Sequence, residues 1–383
     1  MSRFGCNTDE NINEIIESNI PKNTVYSKKF VWKAFMDFCN ARKYELDGNR
    51  TVEELASILK DWAVNMRKKD GTEFKEATVK TMWNLTSKLL QEKYYKEMKV
   101  IIDPFKSVVF QQARAARDSI RKKLQSDPCK RKQSSATLSA EEITKMINLW
   151  DENTPEGLQR KFYHIVAVEL AWRGGEAAAC LTDFFPIETN NDGSVSNQVE
   201  YNPVFNKICQ GGSKMCTESK FLVENNDSNV CPVRLFKKLL SKRGPNIKTN
   251  RLFLRTNRYW KAESDHWYDN MPIGKNMIRN WTRTSAEAIC LKTKEKKITN
   301  HSNRSTAVSR MAKKGVQEQE LIKITGHNNP NSIKPYLNID EEHHNKIINR
   351  MRIGNASSSI VETNTAGSSL HFSNCSFVNC TFK

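Results

Sequence analysis

Residues 126–139, SDPCKRKQSSATLS, interrupt an otherwise periodic chain. No other stretch constrains the fold as much. The interval has no apolar periodicity and is built from Pro, Ser and basic residues, the composition of a linker. Apolar residues recur at helical spacing on both sides, so the 383-residue chain is expected to build two cores rather than one. Residues 1–20 are polar and are expected to form a flexible N-terminus. Over 21–125 the pattern is helical. Trp32, Phe35, Met36 and Cys39 share one face. Thr51 and Glu54 make a capping-box pattern ahead of a second helix. ATVKTMWNLTSKLLQEKYYKEM and FKSVVFQQARAARDSIRKKLQ supply a third and a fourth.

Past the interval the chain restarts at TLSAEEITKMINLW, with Glu141 and Glu142 near the start of a capped helix. Residues 140–353 read as a second, mostly helical domain. One β-like stretch, VEYNPVFNKICQGGSKMCTESKFLV, offers two strands flanking a Gly-Gly turn. The expected class is mainly α with a small β-hairpin or sheet. Residues 354–383 are expected to be a flexible segment ending in FSNCSFVNCTFK, where Phe372, Phe377 and Phe382 recur every five residues. Two copies are too few for a solenoid. The tail is either a strand docking on its own or a neighbour's surface, or disordered.

The formal charge of +18 favours a polyanionic partner, nucleic acid first, over a merely Lys-rich surface. Ten Cys occur without a CxxC pair, and the nearest approach, Cys209 with Cys216, lacks a second pair or a His at zinc spacing. They are expected to be reduced thiols, neither a disulfide frame nor a metal site. No cofactor is implied. The first residues hold no apolar signal core, and no run approaches the length of a membrane span. A soluble intracellular protein is expected.

The chemistry concentrates in HSNRSTAVSRMAKKGVQEQELIKITGHNNPNSIKPYL, residues 301–337. His301 and Arg304 stand one helical turn apart and can point the same way. Gly326 and His327 follow an amphipathic run, and Tyr336 comes nine residues after His327. A His-x-x-Arg pair alone is usually a surface pair; the combination is harder to produce by accident. Upstream, in AWRGGE, Arg173 ends an apolar helix, where a buried charge needs an anionic partner or a hydrogen-bond frame. Glu176 is either that frame or a surface partner at i, i+3. In SDHWYDN, Trp267 is expected in the core and His266 at the surface.

AWRGGE, NKICQGGSK, HSNR, TGH and IKPY stand in this order, with 23 residues from Arg304 to His327 and nine more to Tyr336. On these motifs the second domain resembles the tyrosine recombinases, the phage-integrase family. The stretches TNHSNRSTAVSRMAKKGVQEQELIKITGHNNPNSIKPYLN and RLFLRTNRYWKAESDHWYDNMPIGKNMIRNW, with the FSNCSF-type tail, look most similar to recombinases of Crypton transposons and their domesticated eukaryotic relatives. The first domain, with PKNTVYSKKF, resembles that group's core-binding domain more loosely.

The resemblance implies a two-domain C-shaped clamp on a DNA duplex, with a helical core-binding domain and a mixed α/β catalytic domain. It implies a site-specific recombinase or transposon integrase. Tyr336 would attack a phosphodiester, leaving a 3′-phosphotyrosyl bond and a free 5′-hydroxyl, so that no ATP is needed. Arg173 and Arg304 would meet the charge on the phosphate. Lys207 would be the general acid, with Lys214 the alternative. His301 and His327 would bond the phosphate or manage the Tyr proton, and Glu176 would support them. The reading needs no metal. Phosphates elsewhere would be held by Lys28, Lys29, Lys33, Arg42 and Lys43 on the first domain and by Lys130, Arg131 and Lys132 in the linker. The expected partners are double-stranded DNA and further copies of the chain, from dimer to tetramer, in a nucleus. Two other readings remain open: a domesticated DNA-binding protein without strand exchange, and a relaxing topoisomerase with the same chemistry.

Overall fold

The computed structural model describes residues 5–46, 50–131, 133–186, 197–203, 220–293, 295–327 and 329–336, with short pieces at 344–345, 348–349 and 351–352. The chain divides into two compact units, Met1–Ser135 and Ala136–Lys383.

The first unit holds α1 (Asp9–Ser18), α2 (Lys22–Arg42), α3 (Val52–Asn65), α4 (Glu76–Met98) and α5 (Gln111–Ser126). The capping box forms: Thr51 accepts from the Glu54 amide and Glu54 from the Thr51 amide, satisfying two donors that a helix start leaves orphaned. The expected face of α2 points inward, with Val31, Phe35 and Cys39 buried and Trp32 and Met36 half-buried. Phe35 meets Trp62 of α3 edge-on at 5.5 Å between ring centres. Trp83 of α4 is fully buried and donates its indole N–H to the Leu59 carbonyl at 3.1 Å.

Two expectations change here. The segment read as loose, 1–20, contains α1, capped by Thr8 and with no buried residue. A helix that buries nothing leaves no core-facing stripe to separate it from a polar tail by eye. The fourth helix starts at Gln111, after a 3-10 turn at Val108–Phe110, and not at Phe105. Asp103 explains this: its carboxylate accepts from the Phe105 and Lys106 amides, a local turn that competes with helix. The boundary between the units, after Ser135, falls inside the interval 126–139, and each end of the interval is bonded within its own unit. The Glu76 amide donates to the Lys130 carbonyl on one side, and the Ala136 amide to the Lys297 carbonyl on the other.

The second unit opens with α6 (Ala140–Asn148), capped by a Ser139–Glu142 box, and α7 (Pro155–Glu169). From Gly157 to Ala167 every residue of α7 is buried, so this helix is the axis of the core. The one-turn α8 (Glu176–Ala179) follows, then β1 (Gln198–Tyr201) and β2 (Lys220–Val223), paired antiparallel with Tyr201 opposite Lys220. The two expected strands are therefore present, while the Gly-Gly turn between them lies outside the described residues. After α9 (Pro232–Ser241), β3 (Leu254–Thr256) and β4 (Tyr268–Pro272) make a second antiparallel pair. The unit closes with α10 (Lys275–Ala288), α11 (Asn300–Lys313) and α12 (Glu318–Thr325). Tyr163, Trp172, Phe253 and Trp281 pack ring against ring around α7. Trp267 is buried in this core and His266 is exposed, as the sequence suggested. The C-terminal repeat lies outside the described residues.

Among the described residues, the six cysteines are free thiols, no His, Cys, Asp or Glu group could hold a metal ion, and no helix is long and apolar enough to cross a membrane.

Candidate active site

The site is built on α11. Thr299 caps it, accepting from the His301 amide. Its inward face is anchored by polar bonds. Asn300 donates to the Ile278 carbonyl and accepts from the Thr282 amide. Asn303 donates to Tyr163 and Thr282. Those bonds fix the rotation of α11, and His301, Arg304 and Val308 then form a stripe at spacings of three and four. The first two face the site. Val308 packs with Leu321 and Ile333 in a small cluster against which Tyr336 rests.

Tyr336 sits on a 3-10 turn, Lys334–Tyr336, that Ser309 of α11 holds by donating its hydroxyl to the Tyr336 carbonyl at 2.6 Å. The phenolic oxygen lies 2.7 Å from Nε2 of His301. Burial, then the charges of Arg304 and Arg173, hold the His301 pKa below its ordinary value. A neutral imidazole can accept the phenolic proton, which is the polarity a nucleophile needs.

Arg304 is 2% exposed. Its Nη1 donates to the Ala171 carbonyl and its Nη2 to the Thr325 carbonyl, both at 2.7 Å. Nη2 also stands 3.1 Å from Nε2 of His327. The Thr325 hydroxyl gives its proton to the Leu321 carbonyl, so it accepts from Nδ1–H of His327. That leaves Nε2 as the acceptor for Arg304. Burial and the neighbouring Arg304 lower the His327 pKa to about 4, consistent with this neutral tautomer. Gly326 makes the placement possible. It caps α12 in the left-handed region at φ 64°, which costs glycine nothing, and turns the chain so that His327 faces inward.

Arg173 donates to Glu176 at 2.9 Å and to the Gly326 carbonyl, while its own amide bonds the other Glu176 oxygen. Glu176 is thus the frame, and the pair is mostly buried rather than on the surface. The cluster holds two guanidiniums and one carboxylate already engaged by Arg173. Among the described residues Arg304 has no carboxylate bonded to it, and burial together with Arg173 pulls its pKa down to about 10. Buried excess positive charge is costly to the fold unless an anion arrives. The arrangement sets a phenolic hydroxyl and an imidazole of lowered pKa beside two guanidiniums whose positive charge is only partly balanced, a setting suited to an anion.

Ala171 connects these parts. It follows α7 at φ 50°, a backbone region that L-residues seldom occupy. The Leu170 carbonyl accepts from Lys220 at 2.7 Å, and the Ala171 carbonyl from Arg304. Lys220 is the residue that sequence reading missed: its charge is among those that lower the His327 pKa. Only the strand register, which sets Lys220 opposite Tyr201, could have hinted at it. We expect Ala171→Val to cost about 2–4 kcal/mol in urea unfolding, because a β-branched side chain is strained at positive φ and overpacks a closed core. Ala171→Gly should stay within about 1 kcal/mol of the parent.

The structure brings Arg173, Glu176, His301, Arg304, His327 and Tyr336 together. Lys207 and Lys214 lie outside the described residues, as does Lys132. Of the other basic residues, Lys28 pairs with Glu92 at 2.9 Å and Arg42 lies 3.7 Å from Asp61. Lys29, Lys33 and Lys43 are exposed on or just after α2. Lys130 donates to the Glu73 carbonyl and Arg131 to the Gln125 carbonyl. These last two are used inside their own unit.

Acid should loosen the fold. The folded pKa of His327, about 4, is below the unfolded value of 6.5, so the unfolded chain takes up this proton first. Stability should be full above pH 6.5 and fall as the pH drops toward 4, by up to about 1.4 kcal/mol per pH unit for this group. Urea midpoints between pH 8 and 4 check this, and His327→Gln should flatten the slope.

A domain of unknown function, DUF3504, matches residues 185–286. No curated protein sequence matches the chain. Solved structures do. The XerH site-specific recombinase bound to palindromic difH substrate, in a post-cleavage complex, is 12% identical with a TM-score of 0.56, covering 89% of this chain and 84% of that one. The Tn1549 transposon integrase in complex with transposon right-end DNA is 14% identical with a TM-score of 0.52, covering 89% of this chain and 97% of that one. The mostly helical second unit, with its small antiparallel sheets, has the fold of a tyrosine-recombinase catalytic domain.

Proposed function

We propose that this protein is a DNA strand transferase that cuts and rejoins duplex DNA through a 3′-phosphotyrosyl intermediate on Tyr336. The observation that carries the reading is the 2.7 Å bond between Tyr336 and His301, whose pKa is held low, beside the guanidiniums of Arg173 and Arg304. His301 takes the phenolic proton as the oxygen attacks phosphorus. Arg173 and Arg304 bind the non-bridging oxygens, whose charge grows in the transition state. His327 orients Arg304 by accepting from its Nη2 while Thr325 holds the ring. A Lys of the hairpin, Lys207 or Lys214, protonates the leaving 5′-oxygen. The bond energy stays in the phosphotyrosyl ester, so rejoining needs no ATP, and the guanidiniums do the work that a metal ion does in other phosphoryl transfers.

The finer assignment follows the motifs around HSNR and TGH: a Crypton-type recombinase, working in a nucleus as an assembly of copies on DNA. The net charge of +18 supports DNA as the partner.

The test is covalent trapping. Nicked duplexes with a randomised central sequence would be incubated with the full chain in EDTA, then denatured. We expect a protein–DNA adduct whose tryptic peptide carries the nucleotide on Tyr336. An adduct on another residue, or salt-sensitive DNA binding with no adduct in the whole library, would overturn the proposal, the latter in favour of a DNA-binding protein that keeps the fold.

A further inference from the structure

Helix α1 is a ten-residue element none of whose residues is buried. Ile12, Ile15 and Ile16 stand at spacings of three and four and are 44%, 53% and 58% exposed. Asp9, Glu10, Glu14 and Glu17 are exposed around them, without a cation in the helix and without an ion pair among the described residues. A chain carrying +18 overall has thus set aside one wholly acidic amphipathic helix. A helix this short is marginal in water by itself and gains its stability by packing an apolar face.

The same unit carries a surface of opposite character. The end of α4 and the connection after it expose Tyr95 (57%), Ile101 (82%) and Val108 (78%). Lys96, Lys99 and Lys106 flank these positions, exposed and with no ion pair among the described residues. Lys99 is held at φ 59° with its ammonium 5.5 Å from the Tyr95 ring centre. The helix offers aliphatic residues with a carboxylate rim. This segment offers exposed aliphatic and aromatic residues with lysine ammoniums close by in sequence, one of them over the Tyr95 ring.

We propose that α1 of one copy docks on the α4–α5 connection of a second copy. The contact is apolar at its centre and complementary in charge at its rim, which sets register and partner choice. Each copy offers both halves, so the contact closes between two copies or runs from copy to copy. It is independent of strand cleavage.

Sedimentation velocity of the full chain without DNA, at moderate and high salt, reads the association. Wild type should self-associate, more weakly at high salt as the rim is screened. Ile12→Ser with Ile16→Ser should weaken it at least roughly tenfold, with circular dichroism confirming that the folded unit is retained. Glu14→Lys with Glu17→Lys should weaken it similarly, as should Lys96→Glu with Lys99→Glu. Mixing the two charge-reversed proteins should restore association, because the reversed helix of one then fits the reversed patch of the other. A wild type that stays monomeric at 100-fold the concentration of a trace sample would sink the proposal. So would charge-reversed proteins that remain apart when mixed, or an Ile16→Cys, Ile101→Cys protein that cross-links within a single copy. Because no arm requires cleavage, loss of the phosphotyrosyl reading would leave this result standing.

Discussion

Tyr336→Phe should abolish the covalent adduct while leaving duplex affinity unchanged within about twofold. The removed hydroxyl has one described partner, His301. The ring keeps its packing on the Val308, Leu321 and Ile333 cluster and its tilt against His327, 6.0 Å between centres. The fold should lose no more than about 1 kcal/mol, the scale of one hydrogen bond. The reaction loses its nucleophile, and when parts act as one unit such a loss reaches on the order of 10⁶ in rate. On the proposed reading, affinity would rest on phosphate contacts spread over the protein rather than on the phenol. Adduct yield and binding isotherms on the same nicked duplex check both halves. Adduct persisting in the variant would place the nucleophile elsewhere.

Arg304→Lys should slow cleavage by about 10²–10³, the usual result of removing one preorganised donor from an oxyanion site. The charge is kept, so the change isolates geometry. Arginine reaches the Ala171 and Thr325 carbonyls and His327 from one rigid plane. A lysine ammonium is a single point and cannot hold both carbonyls while also facing a phosphate. One buried acceptor is left unsatisfied, which should cost about 1–3 kcal/mol of stability. Single-turnover cleavage at saturating DNA, with a urea titration of the same protein, separates the two effects. A rate within threefold of the parent would show that Arg304 is a structural brace and not a transition-state clamp.

The legible parts of this protein are those that local rules govern. His301 and Arg304 share a helical turn, and spacing alone puts them on one face. The box at Thr51 is read from residue type and offset. Gly326 marks the end of α12 because the left-handed cap favours glycine. The illegible parts depend on partners far along the chain or on residues that break the local preference. Ala171 adopts the same left-handed region without being glycine, so nothing in its identity announces the turn. Lys220 joins the site through strand register, which is set by pairing and not by its neighbours. Arg173 could be matched with Glu176 at three residues' distance, but its bond to the Gly326 carbonyl spans 153 positions.

Both guanidiniums bond to main-chain oxygens, at Ala171, Thr325 and Gly326. A main-chain acceptor has no genetic identity: every codon at those positions supplies the same carbonyl. The aim of the two arginines is therefore shielded from ordinary substitution at the residues that hold them, and drift in those side chains leaves the acceptors in place. Vulnerability moves instead to whatever bends the chain, namely a bulky residue at 171 or the loss of glycine at 326. Such a site can diverge widely in sequence around its charged groups and still present them in one geometry.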